Sequence, residues 1–329
     1  MTNLYEFTQS FGRTPVMPLM GYPGTRLTNT SIKLNEFNWG VHAWTLQTLY
    51  RRFKPDGVFL LMDLAVEASG MGLQVRFPLM DSPSVEIHPV EEESDLDQFH
   101  SVDVLKDGRT YSFIETMHLV QQMLPPNEIG GAYVAGPFTL AGLLCGANDI
   151  GMNVMLKRDL VLKVLQMATS VITRYALALE DAGADMVMIL DPLSVMLGPD
   201  QFQEFAGRFT SIVISALKDA MPVYHVCGDT THLLDQFGKL GAHGLSLDAD
   251  VDLAEAAQQV PADCVLIGNI DPVSLMRKGN PEQVRQAVLN LRKKMDPYPN
   301  FILSTGCDLP QDTPFENIDA MIQAGMEDL

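Results

Sequence analysis

The segment Ala182-Gly183-Ala184-Asp185-Met186-Val187-Met188-Ile189-Leu190 predicts how this chain passes from a helix into a strand. Before it, residues Arg158 to Ala182 carry apolar side chains at i, i+3 and i+4 spacing, which is typical of an amphipathic helix. Gly183 can adopt the left-handed conformation with which many helices end, and Met186–Leu190 is an apolar run of strand length. The segment therefore predicts a helix that returns the chain to a buried strand.

The same alternation recurs along the chain. A second glycine-containing helix end, Leu240-Gly241-Ala242-His243-Gly244, precedes another apolar run. A further amphipathic helix is predicted from Pro281 to Met295. The eight predicted strands are Pro15–Met20, Gly57–Met62, Ala132–Ala135, Met186–Leu190, Val223–Val226, Gly244–Leu247, Cys264–Ile267 and Phe301–Ser304. Strands that alternate with helices predict a parallel sheet, and eight such units favour a closed (β/α)8 TIM barrel of the α/β class. A doubly wound open sheet is the alternative, but no Gly-x-Gly-x-x-Gly follows the first strand.

The 329 residues are predicted to form one barrel domain, residues 1–329, with an N-terminal helical extension. The stretch from Leu73 to Val120 is too long for a single crossover. Its proline-bounded runs, Val75–Pro78 and Val85–Pro89, predict a β-hairpin insertion, and the acidic stretch from Glu91 to Asp97 predicts a solvated loop.

Composition limits the function classes. The net charge of −19 repels phosphate backbones, so nucleic acid is not an expected partner. The N-terminus shows no secretory signal, and no apolar run approaches the length of a membrane span, so we expect a cytoplasmic protein that does not contact a membrane. The four cysteines are too sparse for a disulfide framework, and Cys145 and Cys264 lie in apolar runs typical of a core.

The other two cysteines and one histidine form a candidate metal site. In Tyr224-His225-Val226-Cys227-Gly228-Asp229, His225 and Cys227 are two residues apart at a strand end, so their side chains leave on the same face. Cys307 follows another strand 80 positions later. One imidazole and two thiolates are three of the four ligands that zinc prefers, and an open fourth position is typical of catalytic zinc. A lone His-x-Cys pair is more often a buried core pair than a metal site.

Polar residues also follow several predicted strands, where barrel enzymes carry their chemistry. These residues are Asp63, Asp191, Asp248, Asn269 and Asp271. About half of single aspartates at such junctions only cap the next helix. Asp248 is the best functional candidate among them, because it ends the strand next to that of His225 and could reach the metal or orient a ligand.

At this point the chain resembles the uroporphyrinogen decarboxylase superfamily, and within it the zinc-dependent methylcobalamin:coenzyme M methyltransferases. The similarity covers nearly the whole chain and lies in Asp63–Ala68, Gly136–Ala141, Ala182–Asp185, His225–Thr230, Gly244–Asp248, Gly268–Pro272 and Ser304–Pro314. The His-x-Cys pair and the late Gly-Cys distinguish the methyltransferase branch. There those three positions are the zinc ligands, which implies His225, Cys227 and Cys307 here. The acidic residue near the metal in that branch corresponds to Asp248.

The resemblance implies a methyltransferase. A thiol such as coenzyme M, bound to zinc as the thiolate, would attack the methyl group of methylcobalamin carried by a corrinoid protein, releasing cob(I)alamin. Asp248 and Asp191 are then catalytic candidates, and Asn269, Asp271 and Tyr22 are candidate contacts for the cofactor or acceptor. The oligomeric state stays open.

Other functions also stay open. Methyl transfer could run in reverse from a methylated donor, or the acceptor could be a pterin. A decarboxylase of the same superfamily would need no metal, but it would need an arginine-rich loop, and Met20–Arg26 keeps one arginine. A non-catalytic zinc-binding or corrinoid-docking module would instead have a closed site with four ligands.

Overall fold

The computed structural model describes residues 3–327. Within that range the chain forms nine strands: β1 Gly57–Phe59, β2 Val75–Arg76, β3 Ser84–Val85, β4 Ile129–Ala135, β5 Met186–Leu190, β6 Met221–Val226, β7 Gly244–Leu247, β8 Val265–Ile270 and β9 Phe301–Thr305. The two residues at each end of the predicted 1–329 domain lie outside the described range, and the prediction of a single domain stays a prediction.

Fifteen α-helices lie in the same range. They are α1 Leu4–Ser10, α2 Gly21–Thr28, α3 Ile32–Phe37, α4 Trp39–Phe53, α5 Val66–Gly70, α6 Gly108–Met123, α7 Pro137–Cys145, α8 Ala147–Leu156, α9 Arg158–Asp181, α10 Pro199–Phe202, α11 Arg208–Ala216, α12 Leu234–Phe237, α13 Leu253–Ala256, α14 Pro281–Met295 and α15 Phe315–Met326. Helix α14 has the predicted bounds, because Asn280 caps its first turn and Pro281 occupies the first helical position.

Seven strands form one parallel sheet in the order β1-β4-β5-β6-β7-β8-β9. Strand order follows chain order, with helices between most neighbours, as the alternating pattern predicted. The α/β barrel class is therefore confirmed. Strand β4 begins at Ile129 rather than at the predicted Ala132, because two glycines continue the strand where the ring of Phe59 packs closely. A Cβ on Gly131 would lie 2.1 Å from that ring.

The predicted first strand, Pro15–Met20, is wrong as a strand. Val16 makes a single parallel bridge to Leu303 of β9, and on its other side its carbonyl accepts from the Asp56 amide. A ladder toward β1 cannot continue, because Pro18 has no N–H to donate. The Asp56 carboxylate replaces the missing backbone acceptor and takes the Val16 amide at 2.7 Å. The segment nevertheless lies between β9 and β1 and joins the two edges of the sheet.

The lumen of the barrel is filled by apolar side chains that alternate along the strands. They include Phe59, Ile129, Tyr133, Met186, Met188, Leu190, Met221, Val223, Val265, Ile267 and Ile302. Helix α1, the predicted N-terminal extension, contributes Leu4 and Phe7 to the same cluster. Both side chains are fully buried, so α1 closes the lumen at the end opposite the site described below.

Two further elements bear on the sequence predictions. The predicted hairpin insertion is confirmed, since β2 pairs antiparallel with β3. One helix among the described residues, α9, is long and apolar enough to cross a membrane by length and composition. Its apolar face, which includes Val161, Leu165 and Ile172, is buried against the rest of the barrel.

Replacement of Phe7 by alanine tests the closing role of α1. The substitution should lower the free energy of unfolding by about 3–5 kcal/mol, because it removes a fully buried ring and leaves a cavity in the lumen. Urea unfolding followed by circular dichroism measures the change. Glu6→Ala, on the exposed face of the same helix, is the matched control. Equal stabilities for the two variants would contradict the closing role.

Candidate functional site

His225 lies at the carboxyl end of β6, and its side chain faces the lumen. Met221 and Val223 precede it at two-residue intervals on the same face, so the alternation of the strand directs the imidazole inward. In the sheet it lies between Leu190 of β5 and Ser246 of β7. The Ser246 hydroxyl lies 3.0 Å from Nδ1, which leaves Nε2 directed toward the two cysteines. The serine thus orients the ring.

Cys227 and Cys307 meet at this imidazole. The His225 Nε2 atom lies 3.2 Å from the Cys227 Sγ atom, and the two sulfurs lie 3.4 Å apart. All three donor atoms lie within 4.8 Å of one another, so they could hold one metal ion. The predicted convergence of these side chains is confirmed, whereas their role as ligands stays a prediction. One imidazole and two thiols match the donor set of a catalytic zinc site.

The two thiols differ in acidity. The hydrogen bond with Cys307 lowers the pKa of Cys227, although burial and the Asp248 carboxylate oppose this shift. The neighbouring Cys227 and burial raise the pKa of Cys307. The two shifts have opposite directions because the two thiols share one hydrogen bond.

Asp248 holds the turn that follows Cys227. Its Oδ2 atom accepts from the Gly228 amide at 2.9 Å, and its Oδ1 atom accepts from the Asp250 amide at 3.2 Å. Gly228 has φ +85°, which favours glycine, so the turn depends on both residues. Among the described residues, the three-member group of close donor atoms does not include Asp248. Its predicted catalytic role stays a prediction, beside this observed structural one.

Asn269 and Asp271, the predicted cofactor contacts on the rim, make backbone contacts. The Asn269 amide nitrogen donates to the Asp248 carbonyl at 2.8 Å and to the Val251 carbonyl at 2.6 Å. Asp271 accepts from two backbone amides at 2.7 and 2.8 Å and caps the π-helical turn Pro272–Arg277. Both side chains shape the loops around the site, and a binding role for either stays a prediction.

Asp191 is fully buried behind the rim. Its Oδ1 atom accepts from the Thr139 amide at 2.7 Å, and the Tyr224 hydroxyl donates to Oδ2 at 3.3 Å. Burial raises the pKa of Asp191 to about 6, although these hydrogen bonds oppose the shift. The carboxylate ties α7 to β5 and β6, and its predicted catalytic role stays a prediction.

A cavity of about 710 Å³ opens beside Cys307, and the last predicted residue, Tyr22, lines it. The Tyr22 hydroxyl donates to the Met62 carbonyl. Three polar residues at or near this cavity were not predicted as functional: Asp308, Tyr133 and Glu36. Asp308 follows Cys307 directly, so its position could have suggested it. Tyr133 and Glu36 belong to distant segments, and no pattern in the sequence links them to the cysteines.

Asp63, the first polar residue of the predicted rim, pairs with Arg109 of α6. Both side chains are buried, and the guanidinium also donates to the Ala65 carbonyl at 3.3 Å. The partner lies 46 residues away, and no local pattern identifies it. Asp63 is therefore held in a buried ion pair.

Comparison with known proteins adds a second line of evidence. A model of the family "Uroporphyrinogen decarboxylase (URO-D)" matches residues 10–327. The chain belongs to the uroporphyrinogen decarboxylase family. Within it, the chain is 29% identical to the methylcobamide:CoM methyltransferase MtbA of Methanosarcina acetivorans over 82% of this chain and 78% of the relative. It is 27% identical to a uroporphyrinogen decarboxylase of Prochlorococcus marinus over 84% of this chain and 81% of the relative.

A solved structure shares the fold. The methyltransferase from Methanosarcina mazei superposes with a TM-score of 0.89 at 21% identity, covering 99% of this chain and 98% of the other. The predicted resemblance to the methyltransferase branch of the uroporphyrinogen decarboxylase family is confirmed. The protein is an enzyme of this family.

The buried Asp191 gives a pH-dependent prediction. Between about pH 4 and 6 the unfolded chain loses a proton that the native Asp191 keeps, because the native pKa is raised from the usual ~3.9 to about 6. Stability from this group is therefore fully present below about pH 4 and is lost, by about 2–3 kcal/mol, as the pH rises to 6. Asp191→Asn should lack this slope in urea unfolding between pH 4 and 7.

The control is Asp159→Asn, which removes one negative charge from a side chain that is 92% exposed. An Asp191→Asn protein with the pH slope of the wild type would contradict the assignment.

Proposed function

We propose that this protein is a zinc-dependent methyltransferase that moves a methyl group from a methylcobalamin, carried by a corrinoid protein, to a small thiol. The observation that carries the proposal is the convergence of His225, Cys227 and Cys307 at the mouth of the barrel. Relatives named methylcobamide:CoM methyltransferases support the choice of methyl donor and of a thiol acceptor.

The chain would hold the metal through three side chains and leave one position open. His225 offers Nε2, since Nδ1 faces Ser246, and the two sulfurs lie 3.4 Å apart on the same side. Zinc bound there would lower the pKa of an incoming thiol and hold it as the thiolate nucleophile. With two thiolates and one neutral imidazole, the site carries no net charge before the thiol arrives.

The surrounding residues would position the reactants and limit the access of water. Apolar side chains fill the lumen beneath His225, so solvent reaches the site only from the mouth. Asp248 and Asn269 hold the β7 loop against the turn after Cys227. The cavity beside Cys307 leaves room for the acceptor, and the corrinoid protein would approach across the rim. Asp248 and Asp191 remain the catalytic candidates, and a cytoplasmic location belongs to the same proposal.

Transfer in the reverse direction, from a methylated donor to the corrinoid, uses the same site. Decarboxylation of a porphyrinogen fits the described residues less well. The stretch that is rich in arginine in decarboxylases forms α2 here, and its single arginine, Arg26, donates to the Thr313 carbonyl at 2.8 Å. The many carboxylates of a porphyrinogen would be buried there without basic side chains to pair with them.

Metal analysis tests the ligand set. Purified protein should contain one zinc per chain, and Cys227→Ser or Cys307→Ser should lose most of it, because each removes one of three convergent ligands. Cys264→Ser, which changes a buried thiol outside the site, is the control and should keep the metal. Wild-type protein with less than about a tenth of an equivalent after zinc loading would exclude the zinc site.

Methyl transfer tests the reaction itself. Zinc-loaded enzyme should demethylate methylcobalamin in the presence of a small thiol, and absorbance spectroscopy records the loss of methylcobalamin. Cys307→Ser should reduce the rate by at least about a hundredfold, because the thiol is then not held as the thiolate. Spectra that stay unchanged with every thiol tried would count against thiol methylation and favour the reverse direction.

A further inference from the structure

The cavity adjoins the candidate metal site through Cys307. Cys307 forms part of its wall together with Tyr22 and Met62, so a thiol at the metal would extend its remaining atoms into this space. A volume of about 710 Å³ accommodates a head group much larger than the thiol itself. The lining therefore decides which head groups are accepted.

Among the described residues that line this cavity, Arg277 is the only one with a basic side chain. Its guanidinium donates to the Asp312 carboxylate at 2.7 Å and is already neutralised. Two further carboxylates, those of Asp81 and Asp308, also line the space. A sulfonate or carboxylate in the cavity would find acidic neighbours and a cation that is already paired.

Two other arginines near the cavity are also engaged. Arg26 donates to the Thr313 carbonyl at 2.8 Å and lies 4.4 Å from the centre of the Phe315 ring. Arg109 is buried in its pair with Asp63. The exposed Lys33 acts electrostatically on Glu36 from the surface. None of these cations lines the cavity.

One oxygen of the cavity lining lacks a partner, and further unpartnered oxygens lie behind the lining. The Oδ2 atom of Asp308, which lines the cavity, is buried without a hydrogen bond. Both carboxyl oxygens of Glu36, which is 0% exposed and does not line the cavity, also lack a hydrogen bond. Both carboxyl groups act electrostatically on Tyr22, which lines the cavity. The Tyr133 hydroxyl, in a residue 5% exposed, also lacks a partner and interacts electrostatically with Asp308 and Cys307.

An acceptor without a donor in the lining indicates a ligand that donates hydrogen bonds. The buried Asp308 oxygen carries a desolvation cost, and a bound donor group recovers that cost. An ammonium group has three donors and a positive charge, so it matches carboxyl oxygens better than a hydroxyl does. A sulfonate has acceptors only and leaves the Asp308 oxygen unpaired.

We propose that this cavity holds the head group of the thiol acceptor and selects an ammonium or other donor-bearing head group over a sulfonate or carboxylate. This inference rests on the proposed thiol methyltransferase activity and narrows its acceptor. It separates this chain from relatives named for transfer to CoM.

Three thiols of equal chain length test the selection. Calorimetry with the zinc-loaded full-length enzyme should give the tightest binding for 2-aminoethanethiol, then 2-mercaptoethanol, then 2-mercaptoethanesulfonate. The first and last should differ by about tenfold or more, as expected for a hydrogen bond to a charged group. The ratio of kcat/KM values in methylcobalamin demethylation should follow the same order. Equal or tighter binding of the sulfonate would overturn the selection, whereas failure of all three thiols to bind would overturn the proposed function itself.

Variants assign the selection to the cavity. Asp308→Asn should reduce the preference for 2-aminoethanethiol over the sulfonate by about tenfold, with zinc content measured in parallel. Asp81→Asn provides a second test away from the metal ligands, because Asp81 also lines the cavity and the change keeps the volume of its side chain and removes its charge. Asp159→Asn, on an exposed side chain, is the control. An unchanged preference in both cavity variants would overturn the inference.

Discussion

The alternation of side chains along β6 is the constraint on which the site depends. Met221, Val223 and His225 face the lumen in succession, and a shift of one residue would turn the imidazole into the helical layer. The parallel register then places Ser246 beside His225, where the hydroxyl reaches Nδ1. Because the lumen below is packed with apolar side chains, the first polar layer of the barrel is also the layer that could bind the metal.

Patterns within one element could be interpreted from the sequence, because their causes are local. Helix α14 has the predicted ends, since its cap, its first-turn proline and its apolar stripe all lie within Asn280–Met295. The convergence of His225 and Cys227 follows from strand geometry alone. The position of Cys307 could be predicted because the carboxyl ends of barrel strands meet at one rim.

Features that depend on contacts between distant segments could not be predicted in this way. Pro15–Met20 has the composition of a strand, yet Pro18 leaves it with one bridge and the Asp56 carboxylate replaces a backbone acceptor. Asp271 has the rim position of a binding residue, but its oxygen caps a π-helical turn. Glu36 and Tyr133 acquire their positions near the cavity only when α3 and β4 pack in three dimensions.

The bridge between Val16 and Leu303 has a consequence for the order of folding. It joins positions 287 residues apart, and the Ser304 hydroxyl binds the Met17 carbonyl across a similar separation. Contacts between the two ends of a chain carry a large loop-closure cost and form late. During synthesis, the segment after α1 can bind Asp56 early, but its contacts with β9 must wait until that last strand has been made. The end of the lumen opposite the candidate site therefore stays open until nearly the whole chain has been made. During that interval its methionine-rich lining is exposed to other chains.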